Sequence, residues 1–284
     1  MKPRFLIDAH VHLNNYHEAT RRPTHENVAD LFAKMEECGV DHAVVITSYK
    51  VDVDRPAVEE VLAVLADDAR TTVVEGLRWR GDSRTDLFAM EERIRDGVIK
   101  GIKLYPGYDR YPINDPSLET VFRIAAKHGV PVMIHTGDTY APGAKVRMAH
   151  PLLVDDVAVD YPDVSFVMCH LGNPWFQDAA EVLYKNDNVY ADISGLTLGE
   201  FSYEFERYVE TRVREMIAYM GDPGRQLMYG SDWPLVKMKP YLAFLGELDF
   251  EGDQLESIAW RTAARLFGID VDALPTRRAS GGNG

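Results

Sequence analysis

A chain of 284 residues, 46% hydrophobic and 27% charged, has the length and apolar content of one large α/β domain, which excludes a disordered or low-complexity protein. Its 31 basic and 45 acidic residues give a formal net charge of -14, so a nucleic-acid backbone is not an expected partner. No run reaches the roughly 18 apolar residues of a membrane span, and two cysteines, Cys38 and Cys169, make no disulfide framework; a cytoplasmic, membrane-free protein is expected.

The first apolar run, "FLIDAHVHL" (5–13), is short and broken by Asp8, His10 and His12, unlike a signal peptide. Seven more come after it: "HAVVITS" (42–48), "TVVEGLRW" (72–79), "GIKLYP" (101–106), "PVMIHTG" (131–137), "SFVMCHLG" (165–172), "VYADISG" (189–195) and "QLMYGSDWP" (226–234). Between them lie "HENVADLFAKMEECG", "RPAVEEVLAVLADDA", "DLFAMEERIRDG", "PSLETVFRIAAKHG" and "PWFQDAAEVLYKND", with apolar residues at helical spacing. Gly39, Gly97 and Gly129 stand where left-handed caps end helices, and Pro116 and Pro174 stand near helix starts. Residues 199–221 read as a longer helix with a lid-like loop before it.

Strand alternating with helix implies right-handed crossovers and a parallel sheet covered on both faces. Eight repeats predict a single (β/α)8 TIM barrel over residues 1–274, with 275–284 as a small, polar, fraying tail. An open doubly wound sheet is less consistent, because no glycine-rich phosphate turn follows the first strand.

In such a barrel the loops at the carboxyl ends of the strands form the functional face. His10 and His12, two apart on strand 1, point the same way, and His135, His170 and Asp232 close strands 5, 6 and 8 at the same level. An isolated pair like His10 and His12 suits a hydrogen-bonded core; with the other three at matching strand ends, the pattern favours a divalent metal, zinc first among the candidates, with a position open to water. His42, at the opposite end of its strand, and His128, in a last helical turn, read as structural. His17, His25 and His150, in or beside loops on the functional side, are weaker candidates for substrate contact. Arg78, Trp79 and Arg80 after strand 3, Tyr105 and Tyr108 after strand 4, and Trp175 and Trp233 beside rim motifs could line a pocket for a planar or carboxylated substrate, with plain solvent exposure the alternative for the strand 3 group. Asp8 reads as a deeper partner on the ligand face of strand 1.

The segments "IDAHVHL", "GIKLYPGY", "VPVMIHTGD", "HPLLVDDVAVDYPDVSFVMCHLG", "NVYADISG", "LMYGSDWP" and "AARLFGI" resemble, in order and from about residue 6 to 270, the amidohydrolase 2 group of the metal-dependent amidohydrolase superfamily. The resemblance implies that His10, His12, His135 and Asp232 bind the metal and that His170 bonds an activated water or assists proton transfer. In two-metal members the strand 6 histidine is itself a ligand, and a carboxylated strand 4 lysine bridges the ions. Lys103 holds that strand in a "KLYP" context like that of dihydroorotases, yet the flanking motifs favour one ion over two. Unmodified, Lys103 would present a positive charge to an anionic substrate or pair with Asp232 or Asp138. Where the family usually has an asparagine, this chain has Thr262.

These residues predict a metal-dependent hydrolase in which Asp232 accepts the proton of an activated water and His170 steadies the developing oxyanion, acting on an amide, lactone or related C–N or C–O bond of a small molecule. The alternative on the same site is non-oxidative decarboxylation of an aromatic or enoic acid, favoured by an arginine aimed at a carboxylate beside the metal. A non-catalytic ligand-binding barrel is the third reading. Substrate identity resides in loops that these patterns do not decode, and a homodimer is the default expectation for assembly.

Overall fold

The computed structural model describes residues 3–16, 22–65, 68–80, 85–197, 202–221 and 223–274; His17, the loop before residue 202 and the tail 275–284 lie outside them. In chain order the elements are β1 (Ile7–Val11), α1 (Thr24–Cys38), β2 (His42–Ile46), α2 (Val58–Leu65), β3 (Thr71–Gly76), α3 (Leu87–Arg95), β4 (Ile102–Leu104), α4 (Glu119–His128), β5 (Val132–His135), α5 (Leu152–Asp160), β6 (Phe166–Cys169), α6 (Phe176–Lys185), β7 (Val189–Asp192), α7 (Tyr203–Met220), β8 (Leu227–Met228), α8 (Met238–Glu247), α9 (Gly252–Glu256) and α10 (Thr262–Phe267).

All eight strands run parallel in the order β1 to β8. The seam between β8 and β1 is drawn together by Ala9 N–H donating to Tyr229 O at 2.9 Å, His12 N–H to Trp233 O at 2.7 Å and Asp232 N–H to His10 O at 2.8 Å. The result is the (β/α)8 barrel the repeat count predicted. Sheet faces buried on both sides explain why the strands read as continuous apolar runs instead of alternating ones.

Local chemistry sets the helix ends. Asp86 caps α3 by accepting from Phe88 N and Ala89 N, and Ser202 accepts from Phe205 N at the start of α7. Gly39 and Gly129 end α1 and α4 at φ of 71° and 65°, a conformation that costs glycine little. Four helices, α5, α8, α9 and α10, join those read from sequence. The sequence of α5, LLVDDVAVD, has apolar residues on most sides and so little helical period; α8 carries Pro240 in its first turn, where a missing N–H breaks no bond. Thr262, the departure from the family pattern, is buried in α10 and donates to Gly224 O at 3.2 Å.

The apolar interior has two compartments. The larger lies between strands and helices; the smaller fills the barrel, with Ile7, Ala9, Ile46, Met133 and Val167 above a floor made by Ala263 and Phe267 of α10. Strand β1 changes phase on the way up. Its pairing with β2 steps from Asp8↔Ala43 to Val11↔Val45, so three residues on β1 span two on β2. Ile7 and Ala9 therefore point inside below this bulge, and His10 and His12 point inside above it. Asp8 falls on the outer side: its carboxyl accepts from the backbone N–H groups of Ser231 at 2.9 Å and His10 at 3.2 Å. The expectation that Asp8 shares the ligand face is thus corrected; the unbroken two-residue period behind it does not survive the bulge. Asp8 still ties together the two ligand-bearing strand ends. Burial pushes its carboxyl up to about 7. Among the described residues, no helix is long and apolar enough to cross a membrane.

Candidate metal centre

His12, one residue past β1, has its Nδ1 2.7 Å from the Ile46 carbonyl, and His10, in β1, has its Nδ1 2.8 Å from Asp192 Oδ2. A carbonyl and a carboxylate can only accept, so each imidazole, when neutral, keeps its proton on Nδ1 and a bare lone pair on Nε2. Those two Nε2 atoms face each other at 3.2 Å, and Asp232 Oδ1 lies 3.4 Å from that of His12 and 3.7 Å from that of His10. Three electron-pair donors thus converge with no proton among them. Left alone they repel; a cation satisfies all three, and this donor set fits a divalent metal. Burial first, and the charge of Lys103 second, lower the His10 pKa to about 4, which keeps the imidazole neutral. For Asp232 burial opposes ionisation, but the imidazoles of His12, His10 and His170 around it hold the carboxyl well below the usual range.

Asp192, at the end of β7, organises the rim. Its Oδ2 holds His10, while Oδ1 accepts from His170 N at 2.9 Å, Ser194 N at 3.1 Å and Ser194 Oγ at 2.5 Å. Despite burial, the hydrogen bond from His10 and the ammonium of Lys103 hold this carboxyl well below the usual range. His170 in turn sets its Nδ1 3.0 Å from Ser194 O, leaving Nε2 as an acceptor, and its ring centroid is 5.0 Å from that of His10. Two glycines lie against these residues: a Cβ on Gly230 would stand 2.8 Å from His10 Cβ, and one on Gly195 would stand 3.0 Å from both Asp232 Oδ2 and His170 Nδ1.

The structure brings His10, His12 and Asp232 into one group whose donor atoms lie within 4.8 Å of one another. His135 belongs to no such group: its Nε2 is 2.8 Å from Asp138 O, and its ring meets that of His170 at 5.1 Å. Lys103 is buried in the barrel with Nζ 2.6 Å from Cys169 Sγ, and not in an ion pair with Asp232 or Asp138. A second group with donor atoms equally close comprises His10, Cys169 and Asp192.

The residues expected to line a pocket separate. Trp79 is buried in the outer core with its indole N–H donating to Ser117 Oγ at 2.9 Å; Arg80 pairs with Asp115, and Arg78 Nε donates to Arg80 O at 3.3 Å. Asp109 accepts from the Trp79 and Arg80 backbone N–H groups and fixes that turn. Tyr105 donates its hydroxyl to Thr47 O at 2.7 Å, whereas the Tyr108 ring lies 4.7 Å from His135, at the site. Tyr49, which the sequence did not single out, packs 4.8 Å from Tyr105. His150 packs against Trp175 at 4.6 Å with the rings tilted, beside Asp178, and His25 is exposed on α1. His42 and His128 have local partners, Thr72 Oγ1 at 2.8 Å and Glu91 at 3.0 Å. Asp192 and Ser194 were missed, although "YADISG" carries the same strand-end signal, a polar residue after an apolar run and before a glycine, that singled out His135.

A family model described as Amidohydrolase matches residues 7–269. No curated protein matches the chain. Among solved structures it is similar to an uncharacterised TIM-barrel protein of Bordetella bronchiseptica, at a TM-score of 0.71 and 19% identity over 93% of this chain and 98% of the other. A probable 2-pyrone-4,6-dicarboxylic acid hydrolase of Acinetobacter baumannii is similar at 0.65 and 16%, over 93% and 99%. A 5-carboxyvanillate decarboxylase of Sphingomonas paucimobilis is similar at 0.63 and 13%, over 94% and 99%. At these identities the likeness is one of fold.

Proposed function

The chain belongs to the amidohydrolase 2 family, and from that premise we propose that it is a hydrolase of an amide, lactone or related C–N or C–O bond in a small molecule, dependent on a divalent metal, with zinc the first candidate. The observation that carries this reading is the convergence of two Nε2 lone pairs and one carboxylate oxygen, 3.2 to 3.7 Å apart, at the barrel mouth. His10, His12 and Asp232 would hold the ion. Three protein ligands leave a coordination position open, the arrangement of catalytic sites. When bound there, the ion supplies an electrophile and lowers the pKa of water to the neutral range.

The chain's own groups supply the proton traffic. With Asp232 Oδ1 turned toward His10 and His12, Oδ2 would accept the proton of the attacking water and return it to the leaving group. His170 Nε2, freed by the Ser194 contact at Nδ1, would supply a second acceptor next to His10. His135 and the Tyr108 ring border the same space and would position substrate. The decarboxylase alternative draws on the likeness to the 5-carboxyvanillate enzyme, but Arg80 is engaged with Asp115 and Arg78 Nε with Arg80 O, so the strand 3 arginines do not support it.

The test is zinc analysis of protein purified without chelator, followed by assay against lactones, amides, esters and aromatic acids. Hydrolysis that is lost on chelation and restored by zinc is expected, and Asp232→Asn should abolish turnover with an unchanged circular dichroism spectrum. Carbon dioxide release from an aromatic acid without hydrolysis would replace the proposal with its rival. Full activity in Asp232→Asn would remove the role given to that residue.

A further inference from the structure

We propose that Lys103 and Cys169 form an oxidation site, where peroxide joins the two side chains through one oxygen into a covalent N–O–S bridge. The chemistry needs no metal ion and stands whether or not the hydrolase reading does. Strand register brings the pair together. Lys103 of β4 is level with Met133 of β5, which is level with Val167 of β6; Cys169 lies two residues further up β6 and so shares the inward face of Val167. Lys103 is 1% exposed and Cys169 0%, and Nζ lies 2.6 Å from Sγ.

That separation is the observation that carries the proposal. A hydrogen bond from N–H to oxygen spans about 2.9 Å, and sulfur, the larger atom, should lengthen it by about 0.3 to 0.5 Å. Charge assistance recovers only about 0.1 to 0.2 Å. One oxygen bonded to both atoms, by contrast, would hold nitrogen and sulfur about 2.6 Å apart, with bonds of roughly 1.4 and 1.7 Å at a near-tetrahedral angle. The amine and the thiol already stand at the spacing of the product, so bridging asks for no movement of β4 or β6. Sγ is also within 4.8 Å of the ligand atoms of His10 and Asp192, beneath the rim, and hydrogen peroxide is little larger than the water a barrel mouth admits. Burial pushes the Cys169 thiol up, while the charge and hydrogen bond of Lys103 oppose that shift and favour the thiolate, the form that attacks peroxide.

The thiolate breaks the O–O bond of a first peroxide, forming S–O as a sulfenic acid and releasing hydroxide, which takes the ammonium proton and leaves a neutral amine. A second peroxide accepts two electrons from nitrogen: the sulfenic O–H and one N–H bond break, the N–O bond forms, and two waters leave. In sum, thiol, amine and two peroxides give the bridge and three waters. The product has lost the ammonium charge that acts on His10, His135 and Asp192, so oxidation of the pair is felt at the rim.

The test is mass spectrometry of full-length Cys38→Ser protein, whose sole thiol is Cys169, reduced with dithiothreitol and then treated with hydrogen peroxide. The expected product has gained one oxygen and lost two hydrogens, resists tryptic cleavage after Lys103, yields peptides joined between Lys103 and Cys169, and returns to the reduced mass with fresh dithiothreitol. Lys103→Arg, which keeps the charge, should give no joined peptides, and Lys103→Met is read in the same way should arginine prevent folding. Sulfenic, sulfinic or sulfonic acid at Cys169 with Lys103 still cleaved would overturn the proposal. So would peptides joined without the oxygen, or an unaltered thiol at doses that oxidise the chain's methionines.

Discussion

Replacing Asp192 by asparagine changes one atom, and the hydrogen bonds around that carboxylate determine the outcome. Asp192 Oδ2 accepts from His10 Nδ1, and Oδ1 accepts from His170 N and Ser194 N, all between 2.8 and 3.1 Å, besides the Ser194 hydroxyl. Whichever way the new amide is turned, its NH2 meets donors. Facing His170 and Ser194, it would clash with two backbone N–H groups that cannot retreat without moving the strand end. Facing His10, it drives the imidazole to carry its proton on Nε2, the atom that should hold the metal. The loss is that of one charge-assisted hydrogen bond, about 1.5–3 kcal/mol, or roughly ten- to a hundredfold in metal affinity. Loss of a carboxylate that orients a ligating histidine falls in the same range. Competition with a chromophoric zinc chelator measures the dissociation constant directly, and thermal unfolding of the apoprotein checks that the fold has survived. A zinc affinity within a factor of two of wild type, in a folded Asp192→Asn protein, would refute the argument that this carboxylate fixes the tautomer of His10.

Gly230→Ala should also weaken zinc binding, by tenfold or more, because the added methyl would press on His10 Cβ from 2.8 Å; the same chelator competition reads it, and Gly246→Ala, with open space around it, is the control. Stability should fall with acidity through His42. Burial lowers its pKa from 6.5 to about 4, its Nδ1 lies 3.1 Å from Ala69 O, and its Nε2 accepts from Thr72 Oγ1. The unfolded chain therefore binds the extra proton between about pH 6.5 and 4. The contribution is complete above that window and shrinks as pH drops through it, by about 2 kcal/mol at pH 5. Urea unfolding at pH 7.5 and 5 measures this, and His42→Gln should flatten the difference.

The barrel was legible because burial on two faces leaves a strong mark: eight apolar runs, each closed by a turn, with helical periods between them. The convergence of His10, His12 and Asp232 was legible for a related reason, since burying histidine and aspartate at the ends of apolar strands is costly unless a ligand or a partner compensates them. The residues that escaped notice depend on contacts across the chain. Asp192 shows no local sign of its bond to a histidine 182 residues away. Trp79 was assigned to the mouth because it follows a strand, but β3 ends at Gly76 and the turn held by Asp109 swings the indole into the outer core. His135 stands at the right level of the rim, yet its orientation is set by the Asp138 carbonyl, which a strand pattern does not encode.

The bulge in β1 makes the enzyme's chemistry depend on strand phase at one point in the chain. From Ile7, an uninterrupted two-residue alternation would send residues 7, 9 and 11 into the barrel and both imidazoles toward the helices. Were β1 to pair with β2 without the irregular step between Asp8 and Val11, its residue count unchanged, the regular ladder would turn His10 and His12 out of reach of Asp232.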